Sequence, residues 1–172
     1  MHKKQKTSIV WFTNNLRTKD NNLLKSASDN SDFIIGVYCL DFCASDITYY
    51  GFKKTNKFRA KFLLQTLNSL KKELKKLNIP LIILHKDYKN KFIKIINEFK
   101  VTSIYVQKEW TRDEIIKIDS IKKIIPNNVK FNEIYDQFLY DPANIPFSFK
   151  NIPDVFTKFR KELEKKGEII PL

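Results

Sequence analysis

Short apolar runs alternate along the chain with longer segments in which apolar residues recur every three or four positions. The short runs predict five strands: Ser8–Phe12, Phe33–Leu40, Leu81–Leu84, Ser103–Val106 and Val129–Ile134. Runs that are apolar throughout are typical of strands buried on both faces of a sheet. The last run alternates apolar and polar residues, which favours a position at the edge of the sheet.

The intervening segments predict helices, because their apolar residues fall on one face of a helix. The predicted bounds are Asp20–Ser28, Thr55–Leu77, Tyr88–Phe99, Arg112–Ile125 and Asp154–Lys166. Asp20 and Thr55 are the predicted N-caps of the first two helices, since a short side-chain oxygen can accept a backbone N–H left free at a helix start. Gly167 is the predicted residue after the last helix, at a position that favours glycine.

The longest predicted helix carries an apolar stripe along its whole length. We expect the residues of this stripe to face the core: Phe58, Phe62, Leu63, Thr66, Leu67, Leu70, Leu74 and Leu77. In the next helix the same spacing predicts an inward face made of Phe92, Ile95, Ile96 and Phe99. Pro80 follows the long helix closely, and proline cannot continue a helix.

Strands that alternate with helices predict an α/β fold, a Rossmann-like five-stranded parallel sheet with helices on both faces. Ligands of such sheets bind beyond the carboxyl ends of the strands, near the reversal of strand order. These ends fall at Thr13–Arg17, Asp41–Lys54, His85–Tyr88 and Gln107–Asp113. Asp41–Lys54 is a long connection without periodicity, so we expect it to be a functional loop.

The 172 residues suit one domain with a hydrophobic core. The net charge of +13, from 32 basic and 19 acidic residues, favours contact with polyanions such as nucleic acid. Most of the excess is lysine, however, and solvated lysines on helix faces explain it equally well.

No apolar run approaches the roughly 20 residues that span a bilayer, and no signal peptide is recognisable. The sequence therefore predicts a cytoplasmic protein with no membrane partner.

Several kinds of chemistry are excluded by the residues themselves. With only three glycines, the chain has no Gly-x-Gly-x-x-Gly turn and no Walker loop to cradle phosphates. It has no Ser-His-Asp set on a nucleophile elbow. Cys39 and Cys43 are the only cysteines and lack nearby histidines, so we expect buried thiols rather than a metal site.

Four segments resemble the photolyase and cryptochrome family, and they occur in the family's order. They are Trp11-Phe12-x-x-x-Leu16-Arg17-x-x-Asp20-Asn21, Val37-Tyr38-Cys39-Leu40-Asp41, Gly51-Phe52-x-Lys54-Thr55-x-x-x-Arg59-Ala60-x-Phe62-Leu63-Leu64 and Pro153-Asp154-Val155-Phe156-Thr157-x-Phe159-Arg160-Lys161. The first resembles the opening of family members in general, and the others resemble the DASH cryptochrome branch. The resemblance implies an antenna domain over residues 1–166, and residues 167–172 resemble the start of the inter-domain linker.

In complete members of this family, a helical domain follows the antenna domain and carries FAD. The resemblance therefore implies the antenna-chromophore-binding domain of a deoxyribodipyrimidine photolyase or DASH-type cryptochrome, which acts in light-dependent DNA repair or blue-light reception. The implied partners are DNA, met through the complete protein, and a FAD-binding domain in the same or a separate chain. We expect this chain, without the FAD domain, to have no lyase activity by itself. The alternative is a stand-alone module that binds a nucleotide, a folate or nucleic acid without photochemistry.

The resemblance also implies an antenna chromophore, such as the folate methenyltetrahydrofolate, at the strand ends. The matching stretch is Gln107–Glu114, in which a carboxylate would accept N–H bonds from the amino-pyrimidine edge of a pterin. Asp113 and Glu114 are the candidates, although acids at the start of a helix are also favoured by its dipole. The other expected site residues are Glu109, Trp110, Phe42 and Phe52, and ordinary packing is the alternative for the three aromatic residues.

Basic residues in the resembling segments are expected to face DNA phosphates in complete members: Lys54, Arg59, Lys158 and Arg160. A solvated helix face explains each of them alone. If a partner domain is required, we expect an exposed apolar patch around Phe42, Phe52 and Trp110.

The chain departs from the family pattern after its first strand. The family usually has Arg and Asp where this chain has Thr13 and Asn15, so both charges are absent together. Joint loss of two opposite charges is what loss of a paired interaction would produce, because one partner left alone costs stability.

Overall fold

Five strands form one parallel sheet in the computed structural model, which describes residues 5–40, 47, 49–53 and 55–169. The strands are β1 Thr7–Phe12, β2 Phe33–Leu40, β3 Leu81–His85, β4 Val101–Gln107 and β5 Lys130–Ile134. They lie in the order β3-β2-β1-β4-β5, and every neighbouring pair is parallel. The order reverses between β1 and β4, and β5 lies at an edge. The predicted α/β fold is confirmed.

Helices cover both faces of the sheet, as a doubly wound fold requires. They are α1 Asn22–Asn30, α2 Lys57–Lys76, α3 Tyr88–Glu98, α4 Arg112–Lys122 and α5 Phe156–Lys166. Buried residues of α1 and α2 pack with Val10 and Phe12 of β1 on one face, and those of α3 and α4 pack with Ile9 and Trp11 on the other. Alternate residues of β1 therefore enter different cores, which explains why the strand is apolar throughout.

The first two helices are capped by asparagines, one residue after the predicted positions. The Asn21 side-chain oxygen accepts the Leu24 N–H at 3.0 Å, and the Asn56 oxygen accepts the Lys57 N–H at 2.7 Å. Asp20 has a left-handed φ of 51°, unlike the extended backbone of an N-cap residue. Thr55 is buried one residue before the cap. The predictions of Asp20 and Thr55 as caps were wrong because local sequence does not decide between adjacent capping side chains.

The apolar stripe of α2 is buried over only half of its length. Leu67, Leu70 and Leu74 are buried, whereas Phe58 and Phe62 are 76% and 70% exposed. A helix of 20 residues spans about 30 Å, and the five-residue strand β3 beside it spans about 17 Å. The first half of α2 therefore extends past β3, and the prediction that it faces the core was wrong.

Two expectations concern helix ends: the inward position of Phe99 was wrong, and the position of Gly167 directly after α5 is confirmed. Phe99 lies beyond α3 and is 38% exposed, rather than facing the core. The segment 141–153, between β5 and α5, contains short 3-10 turns at Pro142–Asn144 and Phe149–Asn151. Gly167 follows α5 with a φ of −78°, so it is not needed for a left-handed turn. A Cβ there would lie 2.6 Å from the Leu163 carbonyl oxygen, and this close approach is what requires glycine.

Candidate functional site

Three chain segments meet at the carboxyl edge of the sheet, where the strand order reverses. They follow β1, β4 and β5, which end at nearly the same level because Trp11 pairs with Val106 and Gln107 pairs with Ile134. The segment after β1 begins at Thr13, and the segment after β4 contains Glu109. This edge is where parallel α/β sheets bind ligands.

Glu109 is a buried carboxylate at this edge, with 9% of its surface exposed. Its Oε1 atom accepts hydrogen bonds from Thr13 Oγ1 at 2.7 Å and from Gln107 Nε2 at 3.1 Å, with Asn14 Nδ2 farther away at 3.5 Å. In the part of the chain that the structure describes, its Oε2 atom accepts no hydrogen bond and no basic side chain pairs with it. One oxygen of the carboxylate is thus held by the protein, and the other is left open.

Two buried amides beside Glu109 keep polar atoms without partners. Gln107 is 1% exposed, and its Nε2 also lies 3.3 Å from Gln137 Oε1, but its own Oε1 has no hydrogen bond. Asn15 is 2% exposed and accepts the Thr13 backbone N–H at 3.2 Å, while its Nδ2 has no partner. Buried polar atoms without partners are uncommon in proteins and call for an explanation such as a bound water or ligand.

An aromatic cluster stands next to the carboxylate. The Trp110 ring stacks on Tyr135 with 5.2 Å between centroids, and it meets the edge of Phe138 at 5.3 Å. Lys108 lies over the Tyr135 ring, and the hydrogen bond and charge of that side chain raise the pKa of Lys108. Trp110 remains 45% exposed, so it still offers ring surface on which a planar group could stack.

The loop between β1 and α1 is tied to the end of β5. Arg17 Nη2 donates to the Asp136 carbonyl oxygen at 2.8 Å and to the buried Asp136 carboxylate at 3.1 Å. The other carboxylate oxygen accepts the Asn22 backbone N–H at 3.0 Å. These bonds hold the loop that carries Thr13 against the strand ends, and sequence reasoning did not single out Asp136.

The predicted chromophore-binding residues do not all lie together. Glu109 and Trp110 lie together at the carboxyl edge of β4. Asp113 is exposed and Glu114 half-buried in the first turn of α4, where the Thr111 hydroxyl donates to the Glu114 carboxylate. Phe52 is 61% exposed and stacks against Tyr50 at 6.2 Å. Phe42 lies outside the described residues.

The predicted DNA-facing residues belong to different elements. Arg59 is exposed in the first turn of α2. Lys158 and Arg160 are exposed on α5, where Arg160 approaches Glu164 at 3.5 Å. Lys54 lies outside the described residues. Among the described residues, no hydrogen bond or ion pair links Arg59 on α2 with Lys158 and Arg160 on α5, so they are not shown to form one surface.

A cavity of about 640 Å³ lies elsewhere, along α1 and the end of α2. Residues such as Leu24, Lys25 and Ile79 line it, and none of the strand-end residues does. Its two lining carboxylates, Asp20 and Asp32, are both exposed, unlike Glu109. The strand-end edge is therefore the stronger candidate for a binding site, because chemistry rather than volume distinguishes it.

The family model for DNA photolyase matches residues 8–171. The chain belongs to the DNA photolyase family. Cryptochrome DASH of Oryza sativa subsp. japonica is 33% identical over 94% of this chain, and that of Gloeobacter violaceus is 30% identical over 96%. These matches cover 31% and 33% of the two relatives. The chain thus spans about a third of the length of the curated relatives it matches.

Solved structures of DNA photolyase family members have the same fold. A cryptochrome from Synechocystis sp. PCC6803 superposes with a TM-score of 0.87 at 31% identity, over 99% of this chain and 36% of that one. A class III photolyase from Agrobacterium tumefaciens, at 20% identity and a TM-score of 0.76, shares the fold over 95% of this chain and 33% of that one. The chain is the N-terminal α/β domain of a photolyase or cryptochrome, and the stand-alone module is not favoured.

Members of the DNA photolyase family bind flavin and an antenna chromophore, act on DNA and carry a C-terminal flavin domain.

In the described ranges 5–40, 47, 49–53 and 55–169, no helix is long and apolar enough to cross a membrane. Within the same ranges, no cluster of three His, Cys, Asp or Glu side chains could hold a metal ion. Cys39 is buried in the core, and Cys43 lies outside the described residues.

Proposed function

We propose that the carboxyl edge of β1 and β4 holds the antenna chromophore, with Glu109 as the carboxylate that binds it. The observation that carries this proposal is the open Oε2 atom of a buried carboxylate whose Oε1 atom is already held by the protein. Asp113 and Glu114 suit the role less well, since they lie in the first turn of α4, where the helix dipole accounts for them.

The residues present fit the pterin ring of a folate. A pterin is planar and carries N–H donors on one edge, so it matches a carboxylate acceptor beside an exposed indole. Asn15 and Gln107 add one unpartnered amide donor and one unpartnered amide acceptor nearby. When bound, the chromophore absorbs light and transfers its excitation to the flavin. The contribution of this chain is to orient the ring and to limit its contact with water.

The first half of α2 is the proposed docking face for the flavin domain, which we place in the same or a separate chain. Phe58 and Phe62 of α2 are largely exposed, and Phe52 lies in the preceding loop with a similar exposure. Exposed apolar residues grouped in this way are typical of interaction sites. The curated relatives are about three times longer than the matched region, which provides a partner domain for this face.

For the complete protein we propose light-dependent DNA repair or blue-light reception. Arg59, Lys158 and Arg160 would then meet DNA phosphates, together with Lys54, and the net charge of +13 supports contact with a polyanion. The proposed compartment is the cytoplasm. A relative from Oryza sativa is named chloroplastic/mitochondrial, so fractionation of source cells is the test of the compartment.

Binding of methenyltetrahydrofolate to the chain, followed by its near-ultraviolet absorption and fluorescence, tests the site. We expect wild-type binding and a loss of about 10- to 100-fold in Glu109→Gln, because hydrogen bonds to a charged acceptor contribute about 1.5–3 kcal/mol. The substituted amide keeps one oxygen for Thr13 and Gln107 and replaces only the open acceptor. Glu114→Gln is the matched control and should bind like wild type. Absence of wild-type binding, or a larger loss in Glu114→Gln, would overturn the proposal.

A further inference from the structure

Thr13 joins the loop after β1 to the carboxylate after β4, across the point where the strand order reverses. Its hydroxyl is 2.7 Å from Glu109 Oε1, the shortest of the three contacts to that oxygen. We propose that Thr13 is a positioning residue which, with Gln107, holds Oε1 so that Oε2 stays open to an N–H donor of the ligand. This inference rests on the proposed function and assigns a role to a residue at which the chain departs from its family.

The hydrogen-bond capacity of Oε1 is used by the protein. A carboxylate oxygen offers two lone pairs, and Thr13 at 2.7 Å and Gln107 at 3.1 Å fill them. Asn14, at 3.5 Å, is at the limit of a hydrogen bond. A ligand therefore finds its acceptor at Oε2, and the two protein donors set the direction in which Oε2 points.

The donors to Glu109 are neutral, which leaves the charge of the carboxylate unpaired in the described part of the chain. A hydroxyl and an amide can orient a carboxylate, but they do not cancel its charge as an arginine would. The site therefore favours a ligand edge that offers N–H groups and disfavours one that offers carbonyl oxygens. A pterin edge, with its 2-amino group, fits this description better than lumazine, which has an oxygen at that position.

The loop holds Thr13 in place before any ligand binds. The Asn15 side chain accepts the Thr13 backbone N–H at 3.2 Å, and the ion pair of Arg17 with Asp136 anchors the same loop to β5. A hydroxyl fixed in this way can orient Glu109 without an ordering cost at the moment of binding. Asn15 thus holds the backbone of Thr13, and the Thr13 hydroxyl in turn bonds Glu109.

Thr13→Val and Thr13→Ser test the positioning role, because valine replaces the hydroxyl with a methyl group of similar size and serine retains the hydroxyl. The measurements are dissociation constants for methenyltetrahydrofolate, pterin and lumazine, together with thermal unfolding. We expect about tenfold weaker binding of methenyltetrahydrofolate in Thr13→Val, near-wild-type binding in Thr13→Ser, and a smaller preference for pterin over lumazine in Thr13→Val alone. Asn14→Ala is a further control and should bind like wild type, since its contact is long.

The outcomes separate this inference from the proposed function. If wild type fails to bind methenyltetrahydrofolate, the proposed function fails. If wild type binds it and Thr13→Val matches wild type in affinity and in the preference for pterin, the positioning role is overturned while the site stands. A lower unfolding temperature with an unchanged preference for pterin would indicate a merely structural hydroxyl and would also overturn it. Should Thr13→Val not fold, Thr13→Ala provides the same comparison.

Discussion

An ion pair between the half-exposed Arg17 and the buried Asp136 holds the loop on which the proposed site depends. The Asp136 side chain is 2% exposed, and it bonds both Arg17 and the Asn22 backbone N–H. Because the carboxylate is desolvated, each lost bond leaves a donor without a good partner. The pair therefore contributes more than an ion pair between exposed side chains.

Asp136→Asn should lower the free energy of unfolding by about 2 kcal/mol, because the amide nitrogen that replaces one carboxylate oxygen cannot accept a hydrogen bond. Urea denaturation followed by circular dichroism measures this change. Asp29→Asn is the control, since its 3.8 Å contact to Lys25 joins two exposed side chains, and it should change stability by less than about 0.5 kcal/mol. Equal effects of the two substitutions would contradict the role given to Asp136.

At the scale of elements, the apolar stripe of α2 lies in two different environments. Its second half packs Leu67, Leu70 and Leu74 against the sheet, whereas its first half leaves Phe58 and Phe62 in solvent. The apolar stripe runs through both halves in the sequence. Under the proposed docking, a partner domain would cover the first half.

Leu70→Ala and Phe62→Ala should distinguish the buried half of α2 from the exposed half. Leu70 is 3% exposed, and its truncation should cost about 2–5 kcal/mol of stability through lost burial and a cavity. Phe62 is 70% exposed, so its truncation should change the stability of the isolated chain by no more than about 0.5 kcal/mol. Thermal and urea unfolding of the two variants measure these changes in stability. A large loss of stability in Phe62→Ala would show that this half of α2 is buried in solution.

At the scale of the whole molecule, the role proposed for the exposed half of α2 is association with another domain. The chain covers 36% of the Synechocystis cryptochrome, whose corresponding region has the same fold. An apolar face at the edge of such a domain is expected to lose its solvent contact when the rest of the protein docks.

Substitution of both Phe58 and Phe62 by Ser should abolish association with the flavin-binding part of the protein from the source organism, while the unfolding temperature of the isolated chain stays within a few degrees of wild type. Size-exclusion chromatography of the mixture measures association. Phe156→Ser is the matched control, because Phe156 is equally exposed, at 73%, on α5. Unchanged association in the double variant would place the docking face elsewhere.

Local patterns in the sequence determined the order and type of the elements and the fold class. The strands are apolar runs and the helices have a periodic apolar face, and both signals are read within a window of one element. Four ordered motifs placed the chain in its family, and Gln107–Glu114 was correctly located at a carboxyl strand end. Cap residues and element ends shifted by one to three residues, because neighbouring side chains compete for the same backbone groups.

Only the tertiary structure decided which polar residues meet. Thr13 and Glu109 are 96 positions apart, and their contact depends on the register of β1 with β4 and on the loop that Arg17 and Asp136 hold. Burial likewise separated Glu109 from Asp113 and Glu114, which look alike in sequence. Periodicity reports on contacts within an element and on its apolar face, whereas a hydrogen bond between loops is set by the packing of the whole sheet.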